Sequence, residues 1–421
     1  MDEAHLTLEA LARLLSGGMT YEELREQVIP HLLERCPVCR ESHQEILRLQ
    51  EDLGHWNEEV VVIEGLEAPA LWDRLSRLSY EQQVRKVEED SELQTWGFCQ
   101  NLLKRSLEAG FVEPSIAVNL ANLAVKISLR LGDVYHPEWV QDIRGRALAY
   151  LGNARRVYGE LRSADDAFRL AESYLEQGTG SPSLKAEILD LQSSLRRAQR
   201  QLSDALRLLN QALALYRGGR ESLKVGKALL QKAKILQEMG NFGRAISLLK
   251  RRADEIKATG DPNLFAYARF NLLTCLTDAH RYEEAKKLLP EVHQIFSADQ
   301  CLNLSRIRWA EANIYFGMNQ IPEAEAAFLE VQSSFLERGM SYDAALVSLE
   351  LSLVYLREEK ISELKQLAGN LVLLFESRDV HREALGALYL FQKACEEERL
   401  TEQTVSRLAQ VLRNGRPARE A

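Results

Sequence analysis

The stretch 312–331, ANIYFGMNQIPEAEAAFLEV, decides the fold. Tyr315 stands nine residues before Ala324, and Phe328 stands four after it. A small residue at 324 lets a second helix come close to a first, and the bulky residue nine earlier fills the gap above it. The same frame recurs upstream in 153–175, NARRVYGELRSADDAFRLAESYL, with Tyr158, Ala167 and Ala171. Further small anchors stand at Ala205, Ala245 and Ala285, and Leu364 continues the series after Ala324. Every step in that series is about 40 residues, and a fixed period of this size marks a helical repeat. The positions four later hold Leu209, Leu249, Leu289 and Ala368. The positions nine earlier hold Leu236, Leu276 and Tyr355, with Arg196 as the exception.

Between the anchors fall loop signals at Gly178, Gly219, Gly260, Asp299, Gly339 and Asp379, which keep the same period. Each unit therefore holds two amphipathic helices of roughly 15–20 residues, read from the 3.6-residue period. One such pair cannot bury its apolar face alone, so neighbours stack into a solenoid. The composition agrees. The 421 residues exceed one compact core, only 10 are proline, and aromatics make up 7%. Hydrophobic residues at 46% and charged residues at 27% belong to a folded chain, not a disordered one.

The anchor pattern resembles the tetratricopeptide repeat (TPR), with longer helices and inter-repeat loops than the usual repeat. The resemblance implies an all-α, right-handed superhelical TPR solenoid of helix pairs. It is similar to the long-repeat bacterial TPR regulators that sense peptides and to the TPR arms of signalling ATPases. The expected organisation is a helical segment at 1–45, connector helices at 46–90 and a degenerate helix pair at 91–137 anchored on Ala117. The solenoid follows at 138–412, ending in a degenerate pair at 380–412, and then a disordered tail at 413–421. The step from Ala117 to Ala167 is the long one, which predicts an insertion at the join DVYHPEW. Val60 to Ile63 is the one β-like run, read as an apolar stretch that ends a helix.

In the family the ligand groove is lined by helix A, at positions about two to five helical turns ahead of each anchor. Carried onto this chain, those positions give Arg156, then Glu187, Asp190 and Arg197. Next come Lys227, Lys234 and Gln237, then Tyr267, Phe270 and Thr274, then Arg306, Trp309 and Asn313. The sixth repeat offers Leu346, Leu349, Leu353 and Leu356, an apolar set over which the C-terminal pair is expected to pack. Cations, aromatics and an amide together suit an extended peptide: aromatics take apolar side chains, the amide bonds the backbone, cations bind a carboxylate. The competing reading makes Tyr267, Phe270 and Trp309 helix packing and the lysines solvated.

Residues 1–45 stand outside the repeat. His31, Cys36 and Cys39 lie close together, with proline inside the C-x-x-C, and His5 lies upstream. Zinc takes four nitrogen or sulfur ligands in a tetrahedron. His5, His31, Cys36 and Cys39 form one candidate set for a structural zinc, with His43 a rival fourth ligand. The arrangement resembles zinc-binding anti-sigma factors, although H-x4-C here is one residue longer than their H-x3-C. Ordinary thiols at a helix end are the alternative.

Little else in the sequence carries chemistry. Neither phosphate-binding glycine loops nor a nucleophile elbow nor H-E-x-x-H occurs. Cys99, Cys275, Cys301 and Cys395 read as small core residues. A net charge of −9 argues against bulk nucleic-acid binding, and six cysteines point to a reducing compartment. No leader and no membrane-spanning run are read, so the cytoplasm is the expected address. The expectation is a binding protein, not an enzyme: a cytosolic bacterial scaffold or adaptor that holds a protein or peptide partner. The alternative is an anti-sigma-like or peptide-sensing transcriptional regulator using the N-terminal module. The sequence leaves the oligomeric state open.

Overall fold

A computed structural model describes residues 58–132, 135–296, 301–376 and 382–415. Among them are nineteen α-helices and no strand. They divide into two compact units that part between Arg220 and Glu221.

The first unit holds α1 (Glu58–Leu75), α2 (Tyr80–Glu89), α3 (Trp96–Ala109), α4 (Pro114–Ser128), α5 (Pro137–Tyr158), α6 (Leu161–Leu175), α7 (Pro182–Ala198) and α8 (Leu202–Gly218). The second opens with α9 (Ser222–Glu238), α10 (Phe242–Arg251), the short α11 (Ala253–Lys257), α12 (Pro262–Asp278) and α13 (Tyr282–Ile295). It continues with α14 (Cys301–Gly317), α15 (Ile321–Glu337), α16 (Ser341–Arg357), α17 (Ile361–Glu376), α18 (Arg382–Glu396) and α19 (Glu402–Gly415). From α3 onward the helices pair in order, a helix A followed by a helix B, and the A helices α3 with α5, α5 with α7, α9 with α12 and α12 with α14 also pack together. None of the described helices is long and apolar enough to cross a membrane.

The anchors do what their size allows. Ala117, Ala167, Ala205, Ala245, Ala285, Ala324 and Leu364 are all buried, as are the residues four after each from Ala121 to Ala368. Of the positions nine earlier, Tyr158 departs: it is 53% exposed, because α5 ends there, ahead of Gly159 at φ +102. Arg196, the polar exception, pairs with Asp165 of the preceding helix B at 2.8 Å.

From α5 onward each A-to-B turn is closed by one left-handed residue. These are Gly159, Arg200, Gly240, His280, Asn319, Glu359 and Glu398, again about one period apart. The amide of the residue after each bonds back five residues, as in Gln201 N to Arg196 O at 2.8 Å and Lys360 N to Tyr355 O at 2.9 Å. This Schellman closure satisfies the last carbonyls of helix A and sets the reversal into helix B. Left-handed φ costs an L-residue roughly 1–2 kcal/mol, so five side-chain-bearing residues here hold a strained conformation for the sake of the turn.

Glycine does different work inside the helices. A Cβ on Gly97 would overlap the Glu64 and Gly65 backbone, so α1 lies directly on α3. A Cβ on Gly152 would stand 2.8 Å from the Phe168 ring, where α6 presses on α5. The long step from Ala117 to Ala167 comes partly from α5 itself, 22 residues against 17 for α7, α8, α9 and α12.

Two expectations change. Val60 to Ile63 opens α1 and does not end a helix. The helix B of the third repeat is not continuous: it breaks at Arg252 into α10 and α11. Over the sixth repeat, α19 packs on α16, and Leu346 and Leu349 join one buried cluster with Val405, Leu408 and Leu412. His5, His31, Cys36, Cys39 and His43 lie outside the described residues.

Candidate ligand-binding face

Three pairs of neighbouring A helices, α5 with α7, α9 with α12 and α14 with α16, are tied by side-chain bonds in one register. In the first unit Arg146 of α5 forks onto Glu187 of α7, Nε to Oε1 at 3.1 Å and Nη2 to Oε2 at 3.0 Å. Tyr150, one turn on, donates its hydroxyl to the same Oε1 at 2.5 Å. These partners are 41 and 37 residues apart. Nη1 of Arg146 reaches back to Gln100 Oε1 of α3 at 3.1 Å.

The second unit repeats the spacing. Gln237 Nε2 of α9 donates to Asp278 Oδ2 at 2.6 Å and to Thr274 Oγ1 at 3.4 Å on α12, 41 and 37 residues on. On α14, Trp309 Nε1 and Asn313 Nδ2 both donate to Glu350 of α16, the second at 2.8 Å, with the same two separations. Arg306 faces the buried Asp343 at 4.0 Å, at the shorter of those separations. One repeat carries the chain to the equivalent turn of the next A helix, so a side chain meets partners one helical turn apart there. Side chains one turn apart point the same way, which is why pairs of donors converge on one carboxylate.

The predicted face residues are placed as follows. Lys227, Tyr267 and Arg306 hold the same frame position on α9, α12 and α14, and Lys234, Thr274 and Asn313 hold another. Lys227 is exposed and Tyr267 is 44% exposed. The aromatics also pack: Tyr267 and Phe270 meet Phe296 edge-on at 6.1 and 6.3 Å, and Trp309 meets Phe335 at 5.8 Å. Packing and surface are thus not alternatives for Tyr267. Arg156 turns along its own helix, giving Nε and Nη2 to Asn153 Oδ1 at 3.1 and 2.9 Å. Burial, with Arg197 beside it, draws its guanidinium down to about 10.

Sequence reasoning missed the richest part of the first unit. Trp96 and Gln100 of α3, Trp139, Asp142, Ile143 and Arg146 of α5, and Leu184 and Glu187 of α7 line a cavity of about 40 Å³. Burial, with the Glu187 charge, pushes the Tyr150 phenol well above its usual range. A signal was available: Arg146 precedes Glu187 by one repeat length. Beneath this face Glu64 of α1 accepts from the Tyr135 hydroxyl at 2.5 Å and from Gly97 N at 3.1 Å. Burial raises its carboxyl above the usual range, against the pull of those bonds. Cys99, Cys275 and Cys395 are buried, and burial pushes each thiol up to about 12. Among the described residues no cluster of histidine, cysteine and carboxylate could hold a metal.

No protein-family model matches the chain, and no curated protein matches it. Solved structures do. The apo form of RapI matches at a TM-score of 0.56 and 16% identity, over 84% of this chain and 97% of that one. A Rap protein complexed with competence and sporulation factor matches at 0.51 and 15%, over 83% and 99%. Aspartyl phosphate phosphatase F from Bacillus subtilis matches more loosely, at 0.45 and 16%, over 81% and 95%. The fold is an all-α helical-repeat solenoid of TPR type. At these identities the likeness extends to the fold alone.

Proposed function

We propose that the chain is a cytosolic scaffold that holds an extended polypeptide along the A-helix face of its repeats. The observation that carries this reading is the repeat-spaced ladder. Its second-unit rungs join α9, with exposed Lys227, to α12, with half-exposed Tyr267, through Gln237, and join α14 to α16 through Arg306, Trp309 and Asn313. An extended chain needs such a strip: polar groups for its backbone and an aromatic for an apolar side chain. The ladder carboxylates occupy Arg306, so a ligand carboxylate would compete with Asp343 for it. The Rap protein complexed with competence and sporulation factor supports the reading, since a solenoid of similar fold accommodates such a factor.

Selection of random peptides on the purified chain tests it. Enriched peptides should weaken about tenfold or more with Tyr267→Ala and stay unchanged with Leu329→Ala on helix B. Equal losses in both variants, or no enrichment, would overturn the reading.

A further inference from the structure

We propose that the cavity between α3, α5 and α7 is a pocket for an alkylammonium group, with Asp142 as its counter-charge and the Trp96 and Trp139 indoles among its walls. It belongs to the first unit and stands on its own residues, so it does not depend on the strip of the second.

Size comes first. One water needs roughly 10–15 Å³ of such space, so a cavity of about 40 Å³ admits a few atoms. That is the end of an aliphatic chain, not a ring system. Ile143 and Leu184 supply apolar lining for the stem.

Charge comes second. Three ionised side chains reach the lining. Arg146 and Glu187 cancel each other through the fork at 3.0 and 3.1 Å. Asp142 accepts from Thr179 Oγ1 at 2.5 Å and from Thr179 N at 3.3 Å. Those donors are neutral, and among the described residues no cation bonds to it. Burial raises its carboxyl above the usual range, and the like charge of Glu138 adds to that. A carboxylate beside two indoles is complementary to a cation, which gains both an ion pair and the ring faces. A second guanidinium is ill suited, being planar and too broad for the space. A compact ammonium fits.

A third observation is independent of charge. Trp96 is only 4% exposed, yet its Nε1 has no hydrogen-bond partner among the described residues. A buried donor left unmade costs about 1–3 kcal/mol. A guest that carries a carbonyl near its ammonium would remove that cost. Two sources share this chemistry: the side chain of a lysine within a bound polypeptide, and the amino-terminal residue of one.

The test uses the full chain, with the indole N–H resonances assigned through Trp96→Phe and Trp139→Phe. Three probes are titrated: Nα-acetyl-lysine methylamide, norleucine methylamide with a free α-amine, and the neutral Nα-acetyl-norleucine methylamide. At least one ammonium probe should move both indole resonances saturably and bind about tenfold or more tighter than the neutral probe. The tighter of the two ammonium probes names the source. Asp142→Asn, which keeps an acceptor for Thr179, should remove that preference. If neither ammonium probe moves the indoles, or the neutral probe binds equally well, the proposal fails. It fails equally if Asp142→Asn folds and leaves the preference intact.

Discussion

Glu187→Ala strips the first-unit ladder of its acceptor. The Arg146 and Glu187 side chains are 22% and 13% exposed. Removing one partner of a fully buried pair costs about 3–5 kcal/mol, because the other charge stays behind without compensation. Water reaches this pair in part, which brings the expected cost to about 2 kcal/mol, and the stranded Tyr150 hydroxyl adds ~1 kcal/mol. The double variant Arg146→Met, Glu187→Met removes both charges and fills the space, so it should cost less than Glu187→Ala alone. Two units need not unfold together, so a global melt would blur the effect. Native-state hydrogen exchange reads it locally instead. Amides of α5 and α7 should lose about 2–3 kcal/mol of protection in Glu187→Ala, and less in the double variant. A loss under ~0.5 kcal/mol in the single variant would refute the claim that the fork joins neighbouring A helices.

Other outcomes follow from the same structure. Gly97→Ala should loosen the docking of α1 on α3 by about 1–3 kcal/mol, read as lost exchange protection across 58–75; unchanged protection would contradict the close approach. At the left-handed turns, Glu359→Gly should stabilise the second unit and Gly240→Ala destabilise it, each by about 1 kcal/mol, since a Cβ at Gly240 meets open space and only its φ of +73 is at issue; thermal scans of the paired variants decide the signs. The raised Glu64 carboxyl favours the folded chain while protonated. Its contribution is present below the unfolded glutamate value of about 4.3 and is lost as pH rises through the folded one. Glu64→Gln should therefore flatten the fall in first-unit stability between mild acid and neutrality, and an unaltered slope would count against burial as the cause. For the N-terminal segment, native mass spectrometry should find about one zinc per chain, lost in Cys36→Ser, Cys39→Ser; no metal in either sample removes that ligand set.

The period was legible because it is a packing demand. Each helix B needs a small or compact residue where it meets helix A, so Ala167, Ala205, Ala245, Ala285 and Ala324 advertise themselves. The turn residues were not legible. A left-handed cap is usually glycine, but Arg200, His280, Asn319, Glu359 and Glu398 fill five of seven, leaving only Gly159 and Gly240 with the expected signature. The strip on α9, α12 and α14 could be counted back from its anchors, since those helices share one length. The first-unit site could not. Arg146 stands farther ahead of Ala167, on a longer helix, than the inherited offsets reach, and they gave only Arg156 there. Its partner Glu187 came up on the same count, yet nothing in a single repeat says which residue of the previous one it meets. That spacing becomes meaningful only when Gln237 with Asp278 and Trp309 with Glu350 repeat it.

The central claim is that the A-helix face is where a polypeptide lies. A photo-crosslinking amino acid placed at Tyr267, and separately at Leu329 on helix B, tests it most directly in intact cells. Adducts with a discrete polypeptide from position 267, and none from 329, are the predicted result. Equal adducts from both positions, or adducts from 329 alone, would contradict it.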